Sequence, residues 1–179
     1  RPVCLEGEMN VTAIARSGLF KWLPAALLVV SVSGCPNPMA VKDDVNSQFF
    51  YIRPGSQLIL HQDVSIPSGR SHTNFQHGQV VNGLDNYTVG CALDVRDLGP
   101  GMVTAGTFLI KRAESSTEWI SRPNIMKFYR VIYLQSDTQP GVMRLTCHDW
   151  DGPLLGRDIS VPEMREALGG IASFKFVQS

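Results

Sequence analysis

From Gln48 onward the apolar residues recur at every second position in short runs, and each run stops at glycine or proline. Tyr87, Val89, Cys91, Leu93 and Val95 alternate with Thr88, Gly90, Ala92, Asp94 and Arg96, the pattern of a strand with one face buried. Residues 48–52, 57–63, 71–76, 79–81, 103–112, 127–135, 142–148 and 171–176 have the same strand character. Between them stand Pro54-Gly55, Pro67-Ser68-Gly69, His77-Gly78, Gly83, Gly99-Pro100-Gly101 and Pro140-Gly141, residue types that set the backbone for tight turns. Many short strands so joined predict a mainly β domain, an antiparallel β-sandwich or barrel-like sandwich. One short C-terminal α-helix interrupts the pattern. Ser160-Val161-Pro162-Glu163 reads as a capping box with proline in the first turn, and Gly169-Gly170 ends the helix. Met164 and Leu168, with Val161 and Ala167 beside them, give it one apolar face to lay on a sheet.

The chain has 179 residues, enough for one domain, with 44% hydrophobic residues. That apolar content suffices to offset the entropy of ordering a chain, which argues against disorder. Sixteen Lys and Arg balance sixteen Asp and Glu. Without a basic field to gather phosphates, nucleic acid is not an expected partner.

The N-terminal quarter reads differently. Residues 22–32 form the longest continuous apolar run, preceded by Arg16 and Lys21 and by no acidic residue after Glu8. A helix of about 11 residues rises only ~16 Å against a hydrocarbon core of about 30 Å, so the run suits a signal-peptide core better than a membrane span. Pro24 and the one-sided charge oppose the competing reading, a buried core helix.

This run leads into Val32-Ser33-Gly34-Cys35, which resembles the lipobox of bacterial lipoprotein precursors. The resemblance implies that Cys35 carries covalent lipid and that residues 1–34 form the upstream sequence and signal peptide, with Met9 as the start. Pro36 stands where an aspartate would signal retention in the inner membrane, so the expected location is the outer membrane, facing the periplasm. Residues 35–47 then read as the lipidated cysteine and a flexible tether, and 48–179 as a single β-rich domain. Within that domain Arg53-Pro54-Gly55-Ser56, Leu60-His61-Gln62, Gln76-His77-Gly78, Leu145-Thr146-Cys147, Trp150 and Ala167-Leu168-Gly169 resemble an uncharacterised group of small proteobacterial lipoproteins. No activity follows from that second resemblance.

Of the 4 cysteines, Cys4 lies in the leader and Cys35 is assigned to lipid, which leaves Cys91 and Cys147. In an oxidising compartment these two are expected to form a disulfide, worth about 4 kcal/mol for a loop of this size. A pair of buried free thiols or a metal pair is the alternative, and no CxxC or CxH spacing supports zinc.

Imidazole and carboxylate side chains recur at His61, Asp63, His72, His77, His148 and Asp149. A metal site or an acid/base centre would draw on His61, Asp63, His148 and Asp149. Adjacent strand residues point to opposite faces, which opposes joint action by His148 and Asp149. The plainer reading makes Asp149, Asp151 and Gly152 turn formers and packs Trp150 over the disulfide or a sheet edge. No GxSxG elbow is present, and neither glycine-bearing loop, at Gly69 or Gly99, precedes a helix. Arg112, Arg122, Lys127 and Arg130 with Trp119, Phe128 and Tyr129 make a basic, aromatic stretch suited to lipid headgroups or glycan, or simply one exposed strand face.

These observations lead to an expectation of a lipid-anchored envelope protein, without a cofactor, acting as a non-enzymatic binding or assembly component. Its expected partners are the membrane and an envelope protein or glycan. The alternatives are a metal-binding or acid/base enzyme using the four residues above, and an inhibitor of a cell-wall lytic enzyme.

Overall fold

The computed structural model describes residues 42–153 and 157–177. The apolar run, the lipobox and Cys35 lie outside the described residues. Eight strands form one curled antiparallel sheet, a half-barrel, which establishes the mainly β class with one short helix. In chain order the strands are β1 (Gln57–Leu60), β2 (Val64–Ile66), β3 (His72–Gln76), β4 (Gln79–Val81), β5 (Gly90–Val95), β6 (Gly101–Val103), β7 (Gly106–Ser121), β8 (Ile125–Gln135), β9 (Val142–Asp151) and β10 (Ala172–Lys175), with helix α1 (Val161–Leu168) before the last. The order across the sheet is β10-β1-β7-β8-β9-β5-β3-β4, and β2 pairs with β6 in a separate ribbon.

Alternation decides the inner face. Cys91 and Leu93 of β5, Phe128 and Ile132 of β8, and Leu145 and Cys147 of β9 are buried. Their neighbours in each strand are exposed or half-buried, apart from Gly90 and Val131. Helix α1 covers this face with Val161, Met164, Ala167 and Leu168, packing on β3, β5 and β10. Its start is the capping box expected: the Ser160 amide donates to Glu163 Oε2 (2.8 Å), and Ser160 Oγ accepts from the Glu163 amide (3.4 Å). Its end abuts the β3–β4 turn, where Gly78 donates to Ala167 O at 3.0 Å. A Cβ on Gly169 would meet Gly78 Cα at 2.4 Å, so this approach of two backbones requires glycine.

Several expected boundaries shift. The strand expected at 48–52 is absent: Ser47 and Phe50 donate in consecutive turns to Asp44 and Ser47, and Phe50 and Ile52 run as irregular chain into the core. The preceding residues, read as tether, are folded against the body from Lys42 on. Asp43 pairs with Arg53 at 2.8 Å, and Val45 packs on the core. The run expected at 103–112 is divided between β6 and β7, and β7 continues to Ser121. Met143, expected inward with Leu145 and Cys147, is 39% exposed. The register slips between Asp94 and Val95, which pair with Arg144 and Val142, and Met143 is the extra residue of that bulge.

Cys91 and Cys147 sit directly opposite each other in the β5–β9 ladder, with sulfurs at bonding distance, 2.10 Å, across 56 residues of sequence. Both are fully buried. Cys91→Ser and Cys147→Ser are each expected to lower unfolding free energy by about 2–4 kcal/mol, and the double variant by no more than either. Chemical denaturation of the three variants checks this, and additive losses would mean that the two residues act independently.

Candidate functional site

Among the described residues, charge converges most densely where α1 meets the far end of β9. Asp149 lies on the inner face of β9, only 4% exposed, and receives the Arg157 guanidinium. Arg157 also donates to Glu163 Oε1 at 2.7 Å, and its Nε lies 3.7 Å from Asp151 Oδ2. One guanidinium therefore joins a strand to the first turn of the helix and faces three carboxylates. Burial opposes the Arg157 charge but is outweighed by Asp149 and Glu163, which raise its pKa. At Glu163 burial is overcome by hydrogen bonds from Ser160 and by Arg157, and the carboxyl falls below its usual range. At Asp149 burial prevails over Arg157 and pushes the carboxyl up. Asp149 Oδ1 has no hydrogen-bond partner among the described residues, in keeping with that direction.

The cluster forms one wall of a cleft of about 260 Å³, lined also by His77, Tyr87, Thr88, Val89, Glu166 and Ala167. His77 reaches the cleft from the β3–β4 turn with a left-handed backbone, φ 52°. The opposite wall is the loop before β5, pinned from β3 by the buried Gln76. Its amide donates to Asp85 O (2.8 Å) and Thr88 O (3.0 Å), and its Oε1 accepts from the Asp85 amide (3.0 Å). A second concavity of about 270 Å³ lies at the β2–β6 ribbon, lined by Ile66, Val95, Leu98, Pro100, Met102 and Val142 among others.

The residues singled out for metal or acid/base chemistry do not converge. His61 Nε2, just past the end of β1, lies 2.8 Å from Ser173 Oγ in β10, and Asp63 Oδ1 accepts from the Ala105 amide at 2.8 Å. His148 is in β9, separated from β1 by β7 and β8, a span of about 14 Å across the sheet. No group of three His, Cys, Asp or Glu with metal-binding geometry occurs among the described residues. His148 and Asp149 do face opposite sides: Asp149 meets Arg157, whereas His148 Nε2 lies 3.4 Å from Asn86 Oδ1. Burial and the nearby Lys127 cation push the His148 imidazole down to about 4.

Asp149 is not a turn former but a buried strand residue in an ion pair, because β9 continues to Asp151. Trp150 shares the outer side of β9 with His148, away from the disulfide, and stacks edge-on against Tyr87 at 5.9 Å. Arg157, Glu163 as an ion partner, and Gln76 were not legible as site residues. Arg157 lies in an irregular stretch without periodicity, and the only signal at Glu163 was its cap. Arg130, expected in an exposed basic stretch, is 5% exposed. It donates to Ile159 O at 3.0 Å and to Phe50 O.

No family model, curated protein or solved structure matches the chain.

Arg157→Met strands Asp149 and Glu163 without their cation, and is expected to cost about 1–3 kcal/mol at neutral pH, the lower end reflecting partial solvent screening. The loss should shrink near pH 4 as the carboxylates take up protons. Urea unfolding at both pH values measures it, and a pH-independent loss would assign the effect to packing. For His148, the unfolded imidazole titrates at 6.5 and the folded one at about 4. Between these values the unfolded chain binds more protons, so this group's contribution is present above pH 6.5 and is lost as pH falls toward 4. His148→Gln is expected to lose less stability than wild type over that interval, and an equal loss would place the titration elsewhere.

Proposed function

We propose that the chain is a lipid-anchored protein of the bacterial cell envelope, held in the outer membrane through Cys35, that works by binding rather than by catalysis. The observation that carries the reading is the agreement between two cysteine environments. Val32-Ser33-Gly34-Cys35 follows a charged and then apolar leader, and Cys91 and Cys147 lie at bonding distance in the core. A disulfide between neighbouring strands persists in compartments beyond the inner membrane, where a lipobox would deliver the chain. Several acyl chains on one residue would anchor it stably, at about 0.8 kcal/mol for each buried CH₂. The binding reading draws support from the separation of His61 and Asp63, which follow β1, from His148 and Asp149, which face opposite sides of β9. The convergent polar groups, Asp149, Arg157 and Glu163, are engaged with one another and fasten α1.

Intact-mass spectrometry of membrane-extracted protein tests the reading. The expected mass is that of residues 35–179 plus acyl chains, rising by about two protons' mass on reduction. Cys35→Ala should abolish the acyl increment and release the protein from the membrane fraction. An unlipidated chain with free thiols would overturn both halves of the argument.

A further inference from the structure

Strand β7 runs for 16 residues, but β1 borders it only over Gly106–Leu109. Beyond Ile110, which still exchanges hydrogen bonds with Ser56 and Gly55, no strand and no backbone hydrogen bond occupies its outer side among the described residues. From Glu114 to Ser121 every residue is exposed. Two register shifts, at Ile110/Arg112 and Trp119/Ser121, bracket a regular stretch. Ile110 directs its amide and carbonyl outward, and the extra residue Lys111 shifts the alternation by one. Ala113, Ser115, Thr117 and Trp119 therefore present unpaired N–H and C=O groups at an open edge, a template for strand addition.

We infer that this edge pairs with the same edge of a second copy of the chain, antiparallel about a two-fold axis at Ser115. The charges select that partner and that register. With the axis at Ser115, Arg112 of each copy faces Glu118 of the other, Ala113 faces Thr117, and Glu114 faces Ser116. Moving the axis to Ser116 sets Glu114 against Glu118, a like-charge pair that opposes the slip. Within one copy Arg112 pairs with Glu114 at 3.1 Å and lies 4.0 Å from the centre of the Tyr133 ring, so pairing across the axis exchanges one exposed carboxylate partner for another. The contact is isologous, so it closes at two copies. It gives the binding reading a partner but rests on the edge alone, so its failure would leave the mass test of Cys35 untouched, and the reverse.

Sedimentation equilibrium of the full chain in mild detergent, with free thiols alkylated, tests it. Wild type should be dimeric. Thr117→Pro removes an outward N–H that the sheet does not use and should give monomer with the Cys91–Cys147 bond and circular dichroism retained. Arg112→Glu and Glu118→Arg should each weaken the dimer about tenfold, and the double exchange should restore it. A wild type still monomeric at about 100 μM, including one that captures a strand of some other protein instead, would overturn the inference. So would a dimer indifferent to Thr117→Pro and to the charge exchanges.

Discussion

The Arg130 guanidinium projects from the middle of β8 into the inner face of the sheet and donates to two carbonyls that belong to no strand, Phe50 and Ile159. A single curled sheet buries its apolar face only if the chain supplies a cover. Here the cover comes from both ends: the segment through Phe50 and Ile52, and the approach to α1 through Ile159. Irregular chain crossing a core carries carbonyls that strands cannot satisfy, and each would cost free energy unless a donor reached it. Arg130 meets both with one side chain, at the expense of burying a charge; burial lowers its pKa and the nearby Asp158 works against that. A short neutral residue at that position would leave both carbonyls without this donor.

Arg157 repeats the arrangement at the other end of the helix approach. It links Asp149 in the sheet to Glu163 in the first turn of α1, while Ser160 caps that turn. The helix is thus placed by ions at its start and by the Gly78–Gly169 backbone approach at its end, with apolar contact between. The disulfide adds a covalent tie between β5 and β9 on the buried face of the sheet. Among the described residues the outer side of β7 is unpaired beyond Ile110, because β1 is four residues long against sixteen in β7.

Much of the architecture was legible in the chain. Period-two alternation located nearly every strand of the large sheet, because one buried face imposes that period on the sequence. Ser160, Glu163 and Gly169-Gly170 placed both ends of α1, since caps are local chemistry within a few residues. The same reasoning mistook Phe50 and Ile52 for a strand, as alternating burial also occurs in irregular chain that crosses a core. It missed β2, whose Val64–Ile66 is too short for a period to register. It set Met143 on the wrong face because a bulge consumes one residue of the count.

The charged cluster was much less legible. Asp149, Arg157 and Glu163 come from a strand, a loop and a helix, and a pattern scan meets them as a turn former, an unremarked cation and a cap. What the sequence by itself determined is whatever depends on neighbours in the chain: most of the strands, the turns and the capped helix. Only the tertiary structure decided that Cys91 faces Cys147, that Arg130 turns inward, that His61 and Asp63 lie far from His148 and Asp149, and that among the described residues no strand borders β7 beyond Ile110. These depend on strand order and on the cover of the inner face, which come from long-range burial and pairing rather than from any local preference.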